Sequence, residues 1–247
     1  KKISQINSPR KNGQKRRIQI GCSISMFQCL SLYEWTQSCD GWGKIYMVRN
    51  FVAIILARGD SKGIKLKNLF KINKKPMIFW TIKHCLDSRK IDSVWVSSDN
   101  KKILNYSKTI GAKIIKRPKN LSTDNSSSES AWKHAINHLN NCKIYMKNVV
   151  GLQPTSPIRN KNDIDKAISL FVRKKYDSLF TASKIKDFFS WTKKNNKILP
   201  EYPELKKRKR RQDMKDLYLE NGSFYIFNKD EFLKTNERLF GKIGVYE

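Results

Sequence analysis

The stretch Val52–Asn68, VAIILARGDSKGIKLKN, decides the fold. Val52, Ala53, Ile54, Ile55 and Leu56 are apolar without alternation, which predicts a strand covered on both faces, as in a parallel sheet. The character changes at Arg58. Arg58, Gly59, Asp60, Ser61, Lys62 and Gly63 form a small cationic loop, followed by Lys65, Lys67 and Asn68. Its glycines let a backbone approach a ligand closely. Such a loop at the C-terminal end of a strand is where open α/β sheets bind phosphates. Neither Gly-x-x-x-x-Gly-Lys-Ser/Thr nor Gly-x-Gly-x-x-Gly is present, which disfavours a P-loop enzyme and a dinucleotide fingerprint. On these residues alone, a polar surface loop after a core strand is the plain alternative.

Working outward, the same strand–loop–helix unit repeats. Pro76–Arg89 has Ile78, Phe79, Ile82, Cys85 and Leu86 at helical spacing, with Pro76 in its first turn. Ser93–Val96 reads as a strand, Asn100–Ile110 as a helix stopped by Gly111, and Lys113–Lys116 as a strand leading to Arg117-Pro118. Ser126-Ser-Ser-Glu129 has the spacing of a capping box for a helix to about Leu139. Asn148–Leu152 and Asp177–Ala182 are further strands, with a helix over Asn162–Lys174 between them. Asp163 and Asp165 lie in its first turn, where they complement the helix dipole. Strands alternating with helices predict an α/β fold: a mostly parallel sheet flanked by helices on both sides. The alternation fails after Ser183. Residues 184–215 read as an excursion of β-ribbon or loop, and Asn221-Gly222 as a turn feeding a last strand.

The chain has 247 residues and a formal net charge of +30. That charge would attract nucleic acid, an acidic membrane or a polyanionic small substrate. Abundant Lys, Asn and Ile also fit a coding bias, with lysines scattered over solvated faces. The five cysteines form no Cys-x-x-Cys pair and no disulfide framework. His134 and His138 share a helix face but lack the third ligand a metal site needs. With no disulfide framework or zinc site, the expected setting is the reducing cytoplasm, and no apolar run is long enough to span a bilayer. Residues 1–46 differ in composition from the rest. The expectation is that Met47 is the natural start and that 1–46 is a disordered or artefactual extension to a domain over 47–247.

Polar residues gather at the C-terminal ends of the predicted strands: Arg58, Ser61, Lys62 and Lys67, then Arg117, then Gln153. In a parallel sheet these share one edge. Together with ILARGDSKGIKLKN (55–68), the segments VSSD (96–99), RPKNLSTDNSSS (117–128), LQPTSPIR (152–159), RRQD (210–213) and YLENGSFYIF (218–227) resemble the acylneuraminate cytidylyltransferases, in family order.

That resemblance implies a Rossmann-like nucleotidyltransferase that joins CTP to a nonulosonic, sialic-type acid and releases pyrophosphate. It implies that Arg58, Gly59, Ser61, Lys62, Lys67 and Asn68 hold the CTP phosphates. Arg58, Lys62 and Lys67 would take the catalytic charge, and Arg117 and Ser128 the base and ribose. Gln153, Arg211, Gln212, Asn221 and Tyr225 would hold the sugar. It implies Mg²⁺, and a homodimer made through 184–215, which would also lie over a neighbour's site. The family's metal-binding aspartates fall beyond Glu247, so the expectation is a chain shortened at its C-terminus, with no metal ligands of its own and weak turnover. The alternatives are a cytidylyltransferase for Kdo, pseudaminic or legionaminic acid, or a non-catalytic basic protein that binds nucleic acid through runs such as Lys206–Arg211.

Overall fold

The computed structural model describes residues 33–34, 46–61, 63–185, 190–200 and 216–247. Lys62, Arg211 and Gln212, the run Lys206–Arg211 and most of 1–46 lie outside the described residues. Within that first segment, Tyr33–Glu34 pairs antiparallel with Tyr46–Met47.

The main sheet is built from β1 (Arg49–Leu56), β2 (Ser93–Ser98), β3 (Lys113–Lys116), β4 (Met146–Leu152), β5 (Ser178–Ile185), β6 (Leu217–Asn228) and β7 (Ile243–Tyr246). Its order is β7-β5-β6-β4-β1-β2-β3. All neighbours are parallel except β6, which runs antiparallel to both β4 and β5. The connecting helices are α1 (Met77–Leu86), α2 (Lys101–Thr109), α3 (Ser128–Asn141), α4 (Asp163–Lys174) and α5 (Lys229–Thr235).

β1 is apolar without alternation because both its faces are covered. Ala53 and Ile55 pack with Ile78 and Ile82 of α1, Ile103 of α2 and Phe171 of α4. Val52 and Ile54 face the other way, onto Trp132, Ile136 and Leu139 of α3. Each fully buried aliphatic side chain contributes roughly 1.5–3 kcal/mol, so the two layers hold β1 at the centre. α3 comes very close to the sheet. A Cβ on Gly151 would stand 2.6 Å from Cζ2 of Trp132, so the ring lies flush on β4 only because residue 151 has no side chain.

Two local readings are corrected. The capping box does not form: Ser127 caps α3 by accepting from the Ser130 amide at 3.1 Å. The Ser126 hydroxyl is instead committed to the preceding loop, donating to the Asn120 carbonyl at 3.0 Å. That frees Glu129 to pair with Arg238 at 2.6 Å. Likewise Asn221-Gly222 is not a turn between elements. It is a bulge inside one continuous strand, where the β5–β6 register shifts between Glu220 and Tyr225. Thr181 fills the gap from β5, donating to Asn221 Oδ1 at 2.7 Å and accepting from the Phe224 amide at 3.2 Å. Turn chemistry and bulge chemistry both want a glycine at positive φ, here Gly222 at 65°.

In the excursion, Trp191–Lys194 pairs with Lys197–Pro200 as a hairpin. Asn195 and Asn196, both at positive φ, make its two-residue turn. No helix among the described residues is long and apolar enough to cross a membrane.

Candidate active site

Four parallel strands deliver their C-terminal ends to one edge of the sheet. β1 leads to Arg58, β2 to Asp99, β3 to Arg117 and β4 to Gln153. A cleft of about 300 Å³ opens there, lined by Arg58, Asp60, Ser61, Lys67, Asn68, Arg117, Ser122–Asp124, Ser126–Ser128 and Gln153–Thr155.

The loop after β1 is fixed by its neighbours. The Ala57 amide donates to Ser97 O at 3.0 Å and the Gly59 amide to Asp99 Oδ1 at 2.9 Å. A Cβ at Gly59 would meet Asn100 Cβ at 2.8 Å. Asn100 is the cap of α2, accepting from the amides of Lys102 and Ile103, so it has no freedom to retreat. Gly59 is thus required by the approach of this loop to a helix start. Asn68 is buried, and its Nδ2 donates to the Arg58 carbonyl at 2.8 Å, which braces the loop from behind. The Arg58 side chain reaches across the cleft. Its Nη1 lies 2.9 Å from Asp124 Oδ1 and 3.1 Å from the Thr123 carbonyl.

Arg117 forms the floor. Only 5% of it is exposed, yet its Nε and Nη2 have no hydrogen-bond partner. Burial pushes its pKa below the ordinary arginine value; Asp99 opposes that shift and Arg58 adds to it. A buried, unpaired guanidinium is costly. Beside it, at the start of α3, Ser128 Oγ accepts from Gln153 Nε2 at 3.2 Å.

Arg58, Ser61, Lys67, Asn68, Arg117, Ser128 and Gln153 therefore meet in one cleft. Asn221 and Tyr225 do not line it. Asn221 faces a separate groove of about 630 Å³ with Arg159, Thr181, Lys184 and Tyr246. The Tyr225 hydroxyl donates to Glu220, beside a third groove lined by Ser127, Glu129 and Arg238. Burial, then the bond to Glu220, pushes its pKa up to about 12. Among the described residues, no group of three or more His, Cys, Asp or Glu side chains could hold a metal ion. The described residues do not supply a protein cage for magnesium.

Sequence reasoning missed three participants. Asp124 closes on Arg58, and Arg238 stacks on Trp132 and Tyr225 while pairing with Glu129. Arg159 ties the loop after β4 to the bulge, donating to Ser223 O at 2.6 Å and to Thr81 Oγ1 at 3.2 Å. Asp124 and Arg159 stand inside motifs already singled out; Arg238 carried no local signal.

A mostly parallel sheet that gathers a cationic loop, a buried guanidinium and a serine-capped helix start at one edge defines an α/β nucleotidyltransferase-type domain. Residues 52–247 match the family model described as Cytidylyltransferase, and the chain belongs to that family. It is 34% identical over 203 residues to N-acylneuraminate cytidylyltransferase A of Danio rerio, covering 81% of this chain and 46% of the relative. It is 32% identical over 190 residues to a pseudaminic acid cytidylyltransferase of Campylobacter jejuni, covering 75% and 81%. The chain thus spans less than half the length of the fish protein. In fold it is similar to a CMP:2-keto-3-deoxy-manno-octonic acid synthetase complexed with CTP, with a TM-score of 0.58 at 17% identity, covering 78% of this chain and 79% of that one.

Proposed function

We propose that this domain joins CTP to a nonulosonic acid, giving the CMP-sugar and pyrophosphate. The anomeric hydroxyl attacks the α-phosphorus of CTP and the pyrophosphate leaves. The observation that supports this best is Arg117, a buried guanidinium that lines the cleft and has two donor atoms without a hydrogen-bond partner. Cytosine presents a carbonyl oxygen and a ring nitrogen, both acceptors, on one edge. A fixed guanidinium fork suits such a planar pair of acceptors.

In this reading Arg58, Ser61, Lys62 and Lys67 hold the phosphates. Lys62 and Lys67 offset the charge that grows on the leaving pyrophosphate. Ser128 takes the ribose and Gln153, joined to it, orients the sugar at the junction of the two substrates. Asn221, Tyr225, Arg211 and Gln212 belong to the sugar side; the two described, Asn221 and Tyr225, lie at separate grooves of the single chain. Magnesium would enter with the triphosphate, whose oxygens suit it. The working unit is a homodimer; Trp191, Ile198 and Leu199 of the hairpin are exposed apolar residues of the kind an interface covers. A reducing cytoplasm fits the free thiols of Cys85 and Cys142.

The test is selectivity in binding and then turnover. CTP at a hundred times its Kd should stabilise the protein by about 2.7 kcal/mol, raising the melting temperature where ATP and GTP do not. Pyrophosphate release should then require a nonulosonic acid. Equal shifts by all three nucleotides would sink the reading. A nucleic-acid-binding protein would instead show a steep salt dependence for oligonucleotides and no CTP response.

A further inference from the structure

Arg58 and Asp124 stand on opposite walls of the cleft, one after β1 and the other in the loop between β3 and α3. Each is presented by a braced backbone. Behind Arg58, its carbonyl is held by Asn68 and the next amide by Asp99. Behind Asp124, the Thr123 amide donates to Ser126 Oγ at 3.2 Å, and that hydroxyl donates to Asn120 O at 3.0 Å. The carboxylate is therefore offered to the guanidinium by a folded loop. The Thr123 carbonyl adds a second acceptor on the same Nη1. Both side chains remain accessible, at 36% and 43%, so the pair is reachable from the cleft mouth and cheap to open.

We infer that Asp124 is an internal anion that occupies Arg58 until a polyphosphate displaces it, a specificity-determining latch on the site. This rests on reading the cleft as a triphosphate site. A phosphate group brings more charge than a carboxylate and can bond two arms of the guanidinium fork at once, so it wins the exchange. A ligand without phosphate at that position gains nothing from Arg58 and leaves the latch closed. The latch also acts in the reverse direction: as pyrophosphate leaves, Asp124 reclaims Arg58 and its loss becomes easier.

The test is equilibrium binding of CTP, pyrophosphate and cytidine to the wild type, to Asp124→Asn and to Asp60→Asn. Asp60 lines the same cleft and serves as the control for simply removing a negative charge. Asp124→Asn should tighten CTP and pyrophosphate by up to about fivefold, the upper end set by an exposed ion pair, and leave cytidine unchanged. Asp60→Asn should tighten them less. Weaker binding in Asp124→Asn, or equal gains in both variants, overturns the latch while leaving the CTP reading intact. If the wild type binds neither CTP nor pyrophosphate, the latch and the CTP reading fall together.

Discussion

Arg117 is where a single residue can be read most directly. Its unpaired donors predict that Arg117→Ala loses about 1.5–3 kcal/mol of CTP binding, the range for a hydrogen bond to a charged group, or roughly ten- to a hundredfold in Kd by calorimetry. Because the buried charge is removed as well, the variant should melt no lower than the wild type without ligand; a lower melting point would mark Arg117 as a structural residue. His134 makes a different prediction. Burial lowers its pKa below 6.5, and His138 and Arg117 push the same way. His84 is lowered too, by burial first and Arg159 second. In the folded protein both rings take up a proton less readily than in the unfolded chain. As pH falls through 6.5 the unfolded state binds protons first, so stability declines. Urea midpoints at pH 7.5 and 5.5 check the sign, and His134→Gln should flatten the slope.

At the scale of elements, α3 sits so close on β4 that residue 151 has no room for a side chain. Gly151→Ala must push a methyl group into the Trp132 ring, and overpacking of this kind costs about 1–3 kcal/mol. The expected result is a lower denaturant midpoint with an unchanged m value. The elements were legible where one physical signal dominated. The continuous apolar run of β1 meant two covered faces, and Lys113–Lys116 was read to the residue. Signals shared by two structures were not. Asn-Gly between hydrophobic stretches suits a turn or a bulge, and only Thr181, about forty residues earlier in the chain, shows which. The serine run 126–128 offered several caps, and the choice was made by the hydrogen bonds of the loop before it. The cleft followed the same rule. Residues at strand ends were placed by the sheet's topology alone, whereas Asn221 and Tyr225 depend on the bulge and on partners such as Glu220.

For the whole molecule, the hairpin carries the proposal of a dimer. Trp191 and Ile198 are 61% and 60% exposed. Replacing both with serine should shift the protein from dimer to monomer in sedimentation equilibrium, with the proposed CTP-dependent melting shift retained, since no residue of the hairpin lines the cleft. A wild type that sediments as a monomer at all concentrations would remove the proposal.

The strand order has a consequence for the nascent chain. β5 has no partner in the sheet until β6 and β7 are made, because it pairs only with those two. The four strands whose C-terminal ends lead to Arg58, Asp99, Arg117 and Gln153 are complete by Leu152 and pair among themselves. During synthesis the strands around the cleft can pair first, while β5 waits for the ribosome to deliver Leu217 onward. In the proposed reading CTP would be a ligand for a half-made protein, while β5 still lacks both of its partners.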